Sequence, residues 1–320
     1  MTKLERILLN LPPVKFVTEK SKHIILPGFD RVPLYDVGVF FIQQVNKVGL
    51  TERASAVSYN FIMAIPPTCL FLFTLIPQLP FIRQRSIRWQ LKSLIREMIP
   101  APEYNKGIID FVDSFWESSR IGLLSFGFVL LIFFASNGMM GLMRSFSKNY
   151  VGFQRRTSLQ TRWAAIKLTL LMMGLIFACL VLLSLQGIVL NWMGISSEFV
   201  KTVIRSLRWV FLIALIFYAF GFIYKYAPAI KKRWRLASPG AILATFLSIL
   251  STVGFSLFVS MFGKYNALYG SIGTIIVLMI VIYINSLVLL IGYELNVSIH
   301  SLKALAEERT KHETSGQLVK

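Results

Sequence analysis

YNALYGSIGTIIVLMIVIYINSLVLLIGY, residues 265–293, runs for 29 residues without an Asp, Glu, Lys or Arg. A hydrocarbon core of about 30 Å takes about 20 apolar residues of helix to cross, so this stretch can span a bilayer with residues to spare. Five more charge-free runs precede it, at 54–82, 121–143, 168–197, 209–224 and 236–263. Only 209–224 is short, and Arg208 and Lys225 at its ends can lay their aliphatic stems along the apolar layer while their charges stay in water. The runs are continuously apolar and do not alternate with a period of two, which excludes a transmembrane barrel. Backbone polar groups in lipid must then be satisfied inside helices. The expected fold is all-α, an integral membrane protein with six transmembrane helices at about 54–76, 121–143, 168–190, 209–226, 239–262 and 271–295.

Composition agrees. Of the 320 residues 55% are hydrophobic and 15% charged, with a mean hydropathy of +0.63, whereas about 25% charged is usual for soluble domains. A soluble enzyme is excluded. Residues 1–33, with Pro12, Pro13, Pro27 and Pro33, read as an irregular lead. Residues 34–300 read as one membrane domain, and 301–320 as a tail. Within Leu34–Leu50, Val37, Phe41, Val45 and Val48 recur at helical spacing, which predicts an amphipathic helix on the membrane surface. The stretch 77–120 carries two more amphipathic patterns, around Ile87–Ile99 and Ile108–Trp116. Cys69 and Cys179 both lie in apolar runs, as small buried hydrophobes do, so neither a disulfide nor a cofactor is expected.

The net charge of +19 raises nucleic acid as a partner, and its distribution answers that. With six crossings, 23 of the 34 Lys and Arg fall on the side of the N-terminus. The positive-inside rule makes that side cytoplasmic, together with both termini. The connections 144–167 and 225–235 contain no acid at all. Anionic lipid headgroups are the expected partners of such loops, with no nucleic acid, and a second copy or an envelope protein remains open as a further partner. Trp163, Trp192, Trp209 and Trp234 fall near expected helix ends, where amphipathic rings anchor at the interface.

Polar and helix-breaking residues inside the apolar runs are the candidate site. Pro66 and Pro67 sit near the middle of the first span, where two missing donors must break the helix. Such breaks mark substrate sites in transporters, although a packed kink without ligand chemistry is the plainer account. Asn60, Asn137 and Asn285 are amides at membrane depth, and Gly138 and Gly141 allow close helix approach. Glu294 is the one acid at the edge of the membrane domain, expected to pair with Lys or Arg of the basic loops rather than to couple protons.

Three segments together resemble the YihY / virulence factor BrkB family of bacterial inner-membrane proteins. They are RASAVSYNFIMAIPPTCLFLFTLIP at 53–77, SNGMMGLMRSFSKNY at 136–150, and the stretch from Tyr224 to Asn296. The third is the strongest, carrying in order Tyr224 and Pro228, a basic loop, Pro239-Gly240-Ala241, Tyr269-Gly270, and Gly292, Glu294 and Asn296. Val259 stands where the family commonly has tyrosine, and Tyr293 where it often has alanine. The resemblance implies a single six-helix domain in the bacterial inner membrane with both termini cytoplasmic. It also brings the label ribonuclease BN, which the residues oppose. A zinc phosphodiesterase needs clustered ligands, and His23, His300 and His312 form no such cluster.

The function expected is therefore not enzymatic. The leading reading is a transporter or flippase-like protein for an anionic lipid or amphiphile in envelope biogenesis. It rests on the broken first span, the three asparagines and the basic surfaces. No G-x-x-x-x-G-K-[ST] occurs, so a gradient or a partner would drive it. The competing reading is a non-transporting scaffold for an envelope-assembly partner.

Overall fold

The computed structural model describes residues 19–22, 24–30, 32–47, 49–68, 89, 92, 109–110, 113, 121–146, 156–192, 198–230, 233–261 and 265–317. Side chains are described throughout these except 121–124, 179–208, 258–275 and 309–317. Every regular element among them is helical: α1 Leu34–Lys47, α2 Leu50–Met63, α3 Ile121–Phe146, α4 Ser158–Trp192, α5 Glu198–Tyr226, α6 Pro239–Met261 and α7 Tyr265–Gln317. Five of them, α3 to α7, are long and apolar enough to cross a membrane. The first expected span is represented by α2 and residues 65–68, and 69–76 lie outside the described residues.

The packing order is a closed ring. Each of α2 to α7 packs against the next, and α7 returns to α2. One end of this ring collects the start of α2, the end of α3, the start of α4, the end of α5 and the start of α6. There Ala54, Val57, Leu142, Phe146, Leu168, Tyr224, Ala241, Leu290 and Tyr293 form the main buried core. Both acid-free connections, 144–167 and 225–235, therefore leave from the same end, referred to below as the basic end.

Helix starts follow local chemistry. In α4, Thr157 and Gln160 make a reciprocal capping box: Gln160 N–H donates to Thr157 Oγ1 (3.3 Å) and Thr157 N–H to Gln160 Oε1 (3.1 Å). The helix consequently begins ten residues before the charge-free run at 168. In α5 the backbone is helical from Glu198, so its 29 residues supply the length that 209–224 alone lacks. Tyr269 and Gly270 lie on the first turns of α7, their side chains outside those described. At 53 residues α7 is roughly 80 Å long at 1.5 Å per residue, more than twice the apolar core of a bilayer.

The expected break in α2 is present. The helix closes at Ala64, whose N–H donates to Phe61 O (3.1 Å), and helical structure resumes at 65–68. Pro66 and Pro67 thus sit in the first turn of the new segment, where a missing N–H is tolerated. Thr68 ties the joint by donating both its N–H (3.2 Å) and its hydroxyl (2.6 Å) to Ala64 O.

α1 packs on α7, with Val37 and Phe29 buried against Ile299. Val39 and Ile42 on its other face are exposed. Of the expected amphipathic pair in 77–120, few residues are described. Lys92 and Asp113, one from each pattern, form an ion pair at 2.7 Å.

Candidate functional site

Helix α3 organises the candidate residues, because α2 and α4 meet it over the same few turns. Asn60 lies flat on Gly141, where a Cβ would come within 2.6 Å of its Nδ2, and Phe61 lies on Gly138, where a Cβ would come within 3.0 Å of its ring. The two glycines make a notch that α2 fills. Asn60 Nδ2 donates to Ala56 O of its own helix (2.7 Å). Pro66 and Pro67 have no N–H to offer the carbonyls four residues earlier, and Ile62 O is instead met by the backbone N–H of the cap at Ala64.

On the other flank Asn137 accepts from Arg162 of α4. The same guanidinium lies over the Phe133 ring, 4.5 Å from its centroid, and is 3.4 Å from Phe133 O. Asn137 is nine residues from the end of α3, about 13 Å along the axis. Arg162 therefore lays its charge along α3 from the basic end. The charge-free run at 168–197 alone leaves this residue in the basic loop. The signal that finds it is the Thr157–Gln160 capping box, which puts Arg162 on the second turn of α4.

Asn285 stands apart from this cluster. It accepts from Ser248 Oγ (2.8 Å) and donates to Val281 O (3.0 Å), joining α7 to α6. It serves as interhelical glue.

The basic end is closed by a second set of contacts. Glu294 is fully buried and bonds Arg53, Nη1 to Oε1 at 2.6 Å, with the Arg53 side chain 11% exposed. Among the described residues it is met by Arg53, the residue opening the first span, because α7 packs along α2 and brings Arg53 to it. Arg53 Nη2 also donates to Ser145 O, and the Tyr293 hydroxyl donates to Phe146 O (2.7 Å). These are two of the last carbonyls of α3, which have no donor within the helix. The Phe146 and Tyr293 rings stack with centroids 3.8 Å apart. The Tyr224 hydroxyl donates to Leu289 O (2.8 Å). Trp234 packs beside Tyr293 with centroids 5.8 Å apart.

Asn296 completes the start of α6 from another helix. Pro239 at the first position has no N–H to satisfy. Gly240 N–H donates to Asn296 Oδ1 (2.9 Å), Ala241 N–H to Ser238 Oγ (3.3 Å), and Asn296 Nδ2 to Ser238 Oγ (3.0 Å). Replacing Asn296 with alanine strands the buried Gly240 donor. The cost expected is about 1–2 kcal/mol, to be read as a lower melting temperature of the purified protein in detergent. Gly240 and Gly292 form the α6–α7 crossing, where a Cβ on Gly292 would lie 2.6 Å from Gly240 O. Pro228 O (3.2 Å) and Ala227 O (3.0 Å) accept from Arg156, which thereby pins the two basic connections together just past the end of α5. Burial, and then the charge of Arg233, lower the pKa of Arg156.

The order Tyr224, Pro228, Pro239-Gly240, Gly292, Glu294 and Asn296 therefore corresponds to one three-dimensional joint. A family model described as Virulence factor BrkB matches residues 41–317, across all seven helices. The chain belongs to that family. Among its BrkB-type relatives, "Putative ribonuclease-like protein YfkH" of Bacillus subtilis (strain 168) is 30% identical over 266 residues, covering 82% of this chain and 94% of its own. "UPF0761 membrane protein NTHI0384" of Haemophilus influenzae (strain 86-028NP) is 23% identical, covering 82% and 95%. A UPF0761 membrane protein of Chromohalobacter salexigens is 28% identical over 76% of this chain and 58% of its own length. No solved structure matches the chain. The BrkB family assignment and the five apolar helices place the protein in a membrane.

Proposed function

We propose that this BrkB-family protein is a transporter or flippase-like carrier for an anionic lipid or amphiphile of the bacterial envelope. It acts in the inner membrane with both termini cytoplasmic and without enzymatic chemistry of its own. The observation that carries the reading is Arg162. A guanidinium held by Asn137 and the Phe133 ring, about 13 Å along α3 from its end, is costly within an apolar helix bundle unless it serves a pathway. On the facing flank of α3, the broken α2 lays Asn60 against Gly141. A cation and a neutral amide flanking the same turns of one helix suit a phosphate and the hydroxyls or amines attached to it. Net positive charge at the basic end supports the orientation.

The test is reconstitution into vesicles carrying fluorescently labelled anionic lipid, with movement between leaflets followed by dithionite quenching. Wild type is expected to move the label, while Asn60→Leu, Asn137→Leu and Arg162→Gln fall to the level of protein-free vesicles. Wild-type inactivity across several lipids favours the scaffold. One feature speaks for that alternative: α7 extends as helix to Gln317, far beyond a bilayer's thickness, and offers a surface for a partner.

A further inference from the structure

Outside the contacts already described, the basic end holds a cavity of about 560 Å³ between the connection leading into α6 and the far part of α7. Arg233, Trp234 and Arg235 line one wall, and His300, Lys303 and Glu307 the other. We propose that this cavity is a binding site for a phosphate monoester or diester anion, with Arg233 and Arg235 as its principal ligands.

The charges are unevenly matched. Of the two acids on the wall, Asp30 is engaged by Lys303 at 3.0 Å. Glu307 then faces both arginines and His300. Arg233 and Arg235 are exposed, no salt bridge joins either to a described acid, and two further lysines, Lys231 and Lys232, precede them in sequence. Arg233 also bears on Arg156, whose pKa it helps to depress. Such a cluster of cations is relieved by an anion. Both arginines line the cavity, and the Arg233 guanidinium also lies over the Tyr226 ring at the end of α5, 5.2 Å from its centroid. Two guanidinium forks at one cavity match the several acceptor oxygens of a phosphate better than a carboxylate's two. The volume exceeds that of bare phosphate and lies in the range of small-molecule pockets. Trp234, Ile299 and Ala304 give it an apolar wall for the group esterified to the phosphate. Pro239 lines it as well, so it opens where α6 begins.

The site does not need the transport reading, and its test reads binding alone. Full-length protein is purified in nanodiscs of equal phosphatidylglycerol and phosphatidylcholine, and retained lipid is counted by native mass spectrometry. In a second arm, protein in pure phosphatidylcholine nanodiscs is titrated calorimetrically with glycerol 3-phosphate. The variants are Arg233→Gln/Arg235→Gln and, as a charge-matched control, Lys47→Gln/Lys167→Gln. A loss of roughly ten-fold or more in the arginine variant but not in the control supports the site. Loss of retained phosphatidylglycerol identifies a lipid headgroup, and loss of glycerol 3-phosphate binding identifies a soluble ester. No binding in either arm, or equal weakening in the control, overturns it. Binding without leaflet movement leaves this site standing and removes the carrier reading, while movement without binding does the reverse.

Discussion

Glu294→Ala, with Arg53 left in place, is expected to lower stability by about 3–5 kcal/mol, the usual result of leaving one member of a buried ion pair uncompensated. The expectation is specific because the carboxylate is fully buried and Arg53 is 11% exposed. Arg53 also bonds the last turn of α3 through Ser145 O, so losing its counter-charge loosens α2, α3 and α7 together. Arg53 Nε is buried with no hydrogen-bond partner, so little alternative pairing is at hand. Removing both charges is a different matter. Arg53→Met/Glu294→Met is expected to recover most of the loss, because well-packed apolar residues replace such pairs with little penalty. Thermal unfolding followed by size-exclusion fluorescence separates the cases. A Glu294→Ala protein that melts with wild type removes the pair as a structural lock.

Gly292→Ala is expected to cost about 3 kcal/mol or more, at the upper end of overpacking effects. The added methyl would meet Gly240 O at 2.6 Å, Ala244 Cβ at 2.8 Å and the Tyr224 hydroxyl closer still. The first of these is backbone and cannot swing away. Gly240→Ala meets Gly292 O and Asn296 and is expected to behave alike. Gly174→Ala is the matched control. Nothing lies within 4 Å of its Cβ, so it should be neutral or gain about 0.5–1 kcal/mol from helix propensity. Equal melting of the 174 and 292 variants would refute the close crossing.

Much of this arrangement is written locally in the sequence. The charge-free runs mark the helices because lipid leaves the chain no other way to satisfy its backbone. The proline pair marks the break in α2, and Ser238-Pro239 marks the start of α6. What was hidden falls into two kinds. Hydropathy places the start of α4 too late because it sees only the apolar run, while the capping box lies upstream of it in polar sequence. The partner of Glu294 is 241 residues away, and spacing cannot reveal such a neighbour. It depends on which helices close the ring. The same holds for Asn137 and Arg162, each legible as a polar group but not as a pair.

The unbroken course of α7 has a mechanical consequence. Its tight crossing with α6 at Gly292 lies near the middle of the rod, with 27 residues towards Tyr265 and 25 towards Gln317, arms of roughly 40 Å each. The rod is not held there alone: α6 grips it at Asn285, α2 at Glu294 and α1 at Ile299. A sideways pull on the tail is therefore shared among three neighbours, and the ring resists it as a unit.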